Sequence, residues 1–299
     1  AASPQLIDEL LENPNVITSG VFAYSGTANR PADASDTWTV NGRWEWGSGC
    51  RNAAWISGGV TLCDSDGSPI LDKHQRPTEA RAFFKPEEIE MHDDWHTSGL
   101  RGSGSNSYTA HNLEIPDYRV ATVEALRASP LADSPIYRFP RFGYLALPIG
   151  SIALGMARDA IEEALGIAKS KTPTGSSRSL SSRPAFHRDV ALAESSLRAA
   201  RSLFYKDIET AWEEAQETVG SLETRRLLRT STVHAVTTAI SIIDRMYTTV
   251  GGSSVYEESA LQRHFRDVHV ASQHMMVAEP VMELAGRVMS GIDDQAPGL

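Results

Sequence analysis

Cysteine is almost missing: Cys50 and Cys63 are the only two in 299 residues. Two thiols build no disulfide framework, and no Cys-x-x-Cys or His/Cys cluster offers a zinc set. Free thiols in the cytosol are the expectation. Long apolar runs are missing too. No stretch approaches the roughly 18–20 residues that a spanning helix needs. The N-terminus shows no basic region followed by an apolar core, so no signal peptide is expected. Positive charge is in deficit: 28 Lys and Arg against 38 Asp and Glu leave a formal net charge of −10. That balance speaks against a nucleic-acid surface. Gly102-Ser103-Gly104 lacks the later glycine of a dinucleotide-binding turn and sits among expected strands, so direct binding of a nicotinamide cofactor is not expected.

What remains is an ordinary globular composition, long enough for one large domain or two medium ones. Residues 3–12 read as a short helix capped by Ser3. Residues 16–24 read as a strand ending at Ser25-Gly26. Asn41-Gly42, between alternating bulky residues, is a strong hairpin signal. Residues 52–63 read as a buried strand, 64–69 as a turn, and three further strands follow. Many short strands between turns predict a small antiparallel barrel or sandwich.

Near residue 120 the pattern becomes helical. Leu145, Ile149, Ile152, Met156 and Ala160 form one stripe. Leu197, Ala200, Phe204, Ile208 and Ala211 form a second, and Val236, Ile240, Ile243, Tyr247 and Val250 a third. Residues 171–184, rich in Ser, Pro and Gly, read as a loop. Pro148 and Pro280 are candidate kinks. Val270, His274, Val277, Val281 and Leu284 recur at steps of four and three, which places them on one face of a fourth helix. The fold class is therefore α+β: a β domain over 16–125 after a helix or linker at 1–15, a connector at 126–141, and a four-helix bundle over 142–299. A lone imidazole on such a stripe is either a satisfied core histidine or a group facing a dry pocket. His92, His96, His264 and His269 do not converge with a third ligand, so no metal is expected.

Residues 251–267, GGSSVYEESALQRHFRD, resemble the C-terminal signature of the acyl-CoA dehydrogenase superfamily at Gly251, Gly252, Glu258, Arg263, Arg266 and Asp267. The run NGRWEWGSG, from residue 41, resembles that superfamily's flavin-contacting strand. Residues 93–107, DDWHTSGLRGSGSNS, are similar to a run common in its two-component, reduced-flavin-dependent monooxygenases, such as the hydroxylases of 4-hydroxyphenylacetate. Dehydrogenases of this superfamily carry a proton-abstracting Glu where this chain has Met275, and a thioether is no base. The monooxygenase branch carries a histidine beside that position, here His274.

The resemblance implies a reduced-flavin monooxygenase that hydroxylates an aromatic or heteroaromatic small molecule through a flavin C4a-hydroperoxide. Reduced FAD or FMN would come from a separate flavin reductase, with O2 as co-substrate. It implies His274 and Ser48 as catalytic residues, and Trp46, Ser48, Ser25, Arg178, Gly251 and Gly252 as flavin-binding. Trp46 is otherwise a plain sheet aromatic, Ser25 a turn serine and Arg178 a solvated loop cation. Pro173 stands where dehydrogenases carry their phosphate-binding Arg. Arg263, Arg266 and Asp267 are expected to form ion pairs that fix the His274 helix. A homotetramer, a dimer of dimers, is implied, with no nucleic acid or membrane as partner. So is a helical domain ahead of the β domain, which this sequence, starting at Ala1, does not contain. The alternatives are an acyl-CoA dehydrogenase-like oxidoreductase, or a truncated chain that only oligomerises.

Overall fold

The computed structural model describes residues 3–31, 36–122, 124–125 and 133–299. These divide into two compact units. The first is built on a sheet. The second runs from Asp133 to Leu299 and includes Ser98–Leu100. Among the described residues no helix is long and apolar enough to cross a membrane.

In the sheet unit, α1 (Pro4–Leu11) precedes seven strands: β1 (Thr18–Asn29), β2 (Thr37–Trp44), β3 (Trp55–Cys63), β4 (Glu79–Phe84), β5 (Glu90–Met91), β6 (Tyr108–Pro116) and β7 (Val120–Thr122). They form one sheet in the order β5-β6-β2-β1-β3-β4-β7. The antiparallel barrel or sandwich expected from sequence is corrected on two counts. The sheet is open among the described residues, and β1 pairs with β3 in parallel. Alternation reveals strands, but which edges meet depends on long-range pairing that alternation does not encode.

Asn41-Gly42 is likewise no hairpin turn. Both residues lie inside β2, where the register with β6 shifts between Val40 and Gly42. Asn41 exchanges side-chain hydrogen bonds with Asn112, which sits at φ +45° and whose N–H donates to Asn41 Oδ1 at 2.8 Å. Gly42 is required by packing. A Cβ there would lie 2.6 Å from Gly26 Cα and 2.8 Å from the Trp44 ring. Trp44 is fully buried, and its indole N–H donates to the Gly59 carbonyl at 2.9 Å. Gly26 and Gly58 face the same ring, so three backbone segments close on one indole.

In the helical unit, α2 (Pro135–Arg138) is a single turn within the expected connector, of which residues 126–132 lie outside the described residues. Then come α3 (Arg141–Ser170), α4 (Pro184–Glu217), α5 (Leu222–Val250), α6 (Ala260–Ala271) and α7 (Pro280–Met289). α5 packs against α3, α4, α6 and α7. Its N-terminus is capped by Ser221, whose hydroxyl accepts from the Thr224 N–H at 3.2 Å.

The stripe expected on α3 lies at the core except at one position: Ala160 is buried, and Leu145, Ile149 and Met156 pack against the core. Ile152 is exposed, while Ala146, Ala153, Ala157, Ala160, Ile161 and Ala164 are buried. Small side chains let the helices approach closely, so the buried ridge is the one with least bulk. The stripes on α4 and α5 are placed as expected, with Leu197, Phe204, Val236 and Ile243 in the core. Pro148 sits inside α3, and Pro280 bends no helix but begins α7.

The fourth long helix is not formed. α6 stops at Ala271, residues 272–279 turn, and His274 lies in that turn. Val277 and Val281 are buried, but on different segments. The period was correct by residue count and wrong about continuity.

Candidate functional site

Trp44 and Trp46 follow one another at strand spacing yet do different things. After Trp44 the chain leaves β2, and Trp46 adopts φ +68°, in the left-handed region that a bulky residue rarely occupies. Its side chain is 51% exposed and meets Trp95 edge-on at 5.7 Å. The plain-sheet-aromatic role belongs to Trp44. Gly47 follows because a Cβ would come 2.7 Å from the Tyr108 ring.

An open pocket of about 460 Å³ is lined by Val21, Ala23, Ser25, Arg43, Glu45 and Trp46. Two of the expected flavin-binding residues, Ser25 and Trp46, thus share one cavity. Ser25 is not in a turn: β1 runs through it to Asn29, with an irregularity between Val21 and Gly26. The bulge turns Ser25 outward, where it is exposed. Arg43 is held by Asp94 at 3.0 Å. Hydrogen bonds from Ser107 hold the Asp94 carboxyl below its usual range.

Ser48 does not line that pocket. Its hydroxyl pairs with Ser105 at 2.8 Å, and Ser105 pairs with Ser103 at 2.7 Å. Its carbonyl accepts from the Ser19 hydroxyl at 2.7 Å. Backbone bonds from Gly47 to Asn106 and from Gly49 to Ser103 lace this segment to the second motif run. Two sequence motifs read separately thus form one structural piece. The buried Ser105 and the pairing of Trp95 with Trp46 were missed in the sequence, because loop contacts carry no periodic signal.

In the helical unit, His274 is half-buried. Its Nδ1 accepts from the Met276 N–H at 3.2 Å. Nδ1 is therefore an acceptor, and the neutral ring carries its proton on Nε2. Burial, followed by the nearby Arg229 charge, holds the ring's pKa below the usual histidine value. Met275 is 72% exposed. Arg229, on α5, is buried and was not singled out in the sequence. Its signal was available: it stands seven residues before Val236, on the apolar stripe of α5, and an arginine there demands a reason.

Gly251 ends α5 at φ +70°, and a Cβ at Gly251 or Gly252 would meet open space. Both are exposed and adjoin Ser253, which with the Val250 carbonyl accepts from Lys171 at 2.7 and 2.6 Å. Arg178 is exposed. Its backbone is held by Ser176, and its guanidinium has no partner among the described residues. The expected ion pairs of Arg266 and Asp267 are corrected. The Arg266 guanidinium donates to the Ser98 carbonyl at 2.8 Å, and Asp267 accepts from the Leu100 N–H at 2.6 Å. Between them Gly99 lies so close to the Arg266 carbonyl that a Cβ would come within 2.2 Å. These side chains hold a backbone segment that sequence spacing cannot connect to them.

The exposed Trp46 ring beside an open cavity of mixed polar and apolar lining can stack on a flat heterocycle. In the helical unit the Arg178 guanidinium, without a partner among the described residues, can pair with an anion.

Residues 147–279 match the acyl-CoA dehydrogenase C-terminal domain. An indole-3-acetate monooxygenase of Pseudomonas putida is 31% identical over 256 residues, 84% of this chain and 62% of that protein. The chain thus spans less than two thirds of that relative's length. The oxygenase component of p-hydroxyphenylacetate 3-hydroxylase from Acinetobacter baumannii is 28% identical over 306 residues, 97% of this chain and 68% of that protein. XiaF from Streptomyces sp., solved in complex with FADH2 and glycerol, shares the fold with a TM-score of 0.87. It is 23% identical, across 99% of this chain and 74% of that one.

Proposed function

We propose that this chain, whose residues 147–279 match the acyl-CoA dehydrogenase C-terminal domain and which is similar to two-component flavin-dependent monooxygenases, is the oxygenase part of such a system. Its substrate is an aromatic or heteroaromatic small molecule. A separate reductase supplies reduced FAD or FMN, O2 is the co-substrate, and the setting is the cytosol. Bound in reduced form, a flavin would supply the two electrons with which dioxygen gives one oxygen to an electron-rich ring as a hydroxyl and the other to water. The protein's part is to bind, orient and exclude water.

Trp46 offers its ring to the flavin, and Ser25 offers a hydroxyl from the same pocket. Ser48, whose hydroxyl is paired with Ser105, serves the flavin edge. Arg178 serves the phosphate, and Gly251 and Gly252 leave its path clear. His274 holds a proton at Nε2 and presents it to the reacting oxygen. The helices act as a four-helix bundle with its fourth member broken into α6 and α7, and build a dimer of dimers. The dehydrogenase reading has no specific support, since Met275 offers no base.

The observation that carries this reading is Trp46, exposed and in a strained backbone conformation beside the Ser25 pocket. A bulky side chain held at positive φ is an outlier of the kind that clusters at binding sites. The test is anaerobic titration with reduced FAD and FMN, then oxygen with a panel of phenols and indoles, with products detected by mass. Hydroxylated product coupled to flavin oxidation, and uncoupled by His274→Ala, is expected. Bleaching of oxidised flavin by an acyl-CoA would overturn the reading, as would a protein with no flavin affinity.

A further inference from the structure

Arg229 is a buried cation without a counter-charge among the described residues: it is 3% exposed, and no carboxylate there pairs with it. Nη1 donates to the Met276 carbonyl at 2.6 Å and to the Phe142 carbonyl at 3.3 Å, and lies 3.6 Å from the Met276 sulfur. Nε is buried and has no partner. Burial pushes the guanidinium down to about 10. Stability alone does not explain it, because an apolar side chain of similar volume at such a site is often neutral or stabilising.

Its contacts point to the explanation. Met276 is held at both ends of its backbone. Its carbonyl goes to Arg229, and its N–H goes to Nδ1 of His274. Fixing the carbonyl fixes the turn, and the turn delivers the N–H. We infer that Arg229 is the positioning residue for His274: by holding the Met276 carbonyl it keeps the Met276 N–H on Nδ1, so that the imidazole stands as the Nε2–H tautomer. The catalytic meaning of this rests on the oxygenase reading; the geometry does not. Among the described residues Arg229, from α5, is the charged group acting on the ring, and α3 brings the Phe142 carbonyl to the same guanidinium. A cation beside a half-buried imidazole also opposes its protonation. His274 then works as a neutral hydrogen-bond donor, not as a stored imidazolium.

The test is long-range proton–nitrogen correlation on the full chain with labelled histidine, free of flavin. The His274 signals are assigned by their loss in His274→Ala. The parent protein should show the Nε2–H pattern alone. Arg229→Met, with folding checked by circular dichroism, should show mixed tautomers and a titration midpoint moved upward. Arg229→Lys keeps a cation but not the planar fork. It should show mixed tautomers with the midpoint still depressed. An Nδ1–H pattern in the parent protein overturns the inference. So does an unchanged pattern and midpoint in folded Arg229→Met, or an unmixed pattern in Arg229→Lys if the Met variant does not fold. Coupling that survives His274→Ala would instead sink the oxygenase role while leaving the spectra intact.

Discussion

The two units bury themselves with opposite side chains. The sheet unit closes three glycine-bearing strand segments on one large ring, Trp44. The helical unit brings helices together over a ridge of alanines on α3. In one the residue is large and the backbone yields to it. In the other the residue is small so that backbones can approach. Size at a buried position is thus set by what faces it.

The contrast is sharpest under mutation. Trp44→Ala should cost about 3–5 kcal/mol, because a cavity opens where three glycines cannot fill it. Urea unfolding followed by circular dichroism reads this, and a loss under ~1 kcal/mol would mean the seat collapses freely. Ala157→Leu should cost about 1–3 kcal/mol by overpacking. A thermal midpoint at or above that of the parent would show that the ridge has room.

Trp46→Ala breaks the comparison from the other side. Folding stability should move by no more than about 0.5 kcal/mol, as for an exposed residue. Affinity for reduced flavin should fall about tenfold, the worth of ~1.4 kcal/mol in lost ring contact. Calorimetric titration that finds equal affinity would remove Trp46 from the site.

The smallest effect concerns pH. Folding lowers the pKa of His274 below its unfolded value, near ~6.5. Between those two values the unfolded chain binds more proton, so stability declines as pH falls through that window. Above the unfolded value the group contributes no slope. Unfolding midpoints collected from neutral to mildly acid pH should decline less steeply in His274→Ala than in the parent.

What could be read from the sequence follows from how local each signal is. The buried strand β3 and the stripes on α4 and α5 were legible, because one period decides them. Asn41-Gly42 misled because a glycine demanded by a distant indole looks like a glycine demanded by a turn. His274 lies not on a helix face, as the stripe predicts, but in the turn after Ala271. The break after Ala271 is held by Arg229, whose contact with Met276 spans 47 residues. Ser25 and Trp46 line one pocket, while Ser105 and Arg229 entered only through tertiary contacts. Spacing reports faces; it does not report what ties one segment to another.

Ser98–Leu100 has a consequence for anyone who divides this polypeptide. The helical half is not encoded by one uninterrupted stretch: three residues of it are borrowed from well upstream, gripped by Arg266 and Asp267. A fragment begun at Asp133 would leave that clasp empty, with a carboxylate and a guanidinium turned to water. A tripeptide-sized insert carrying the Ser-Gly-Leu sequence is therefore a natural handle for restoring it.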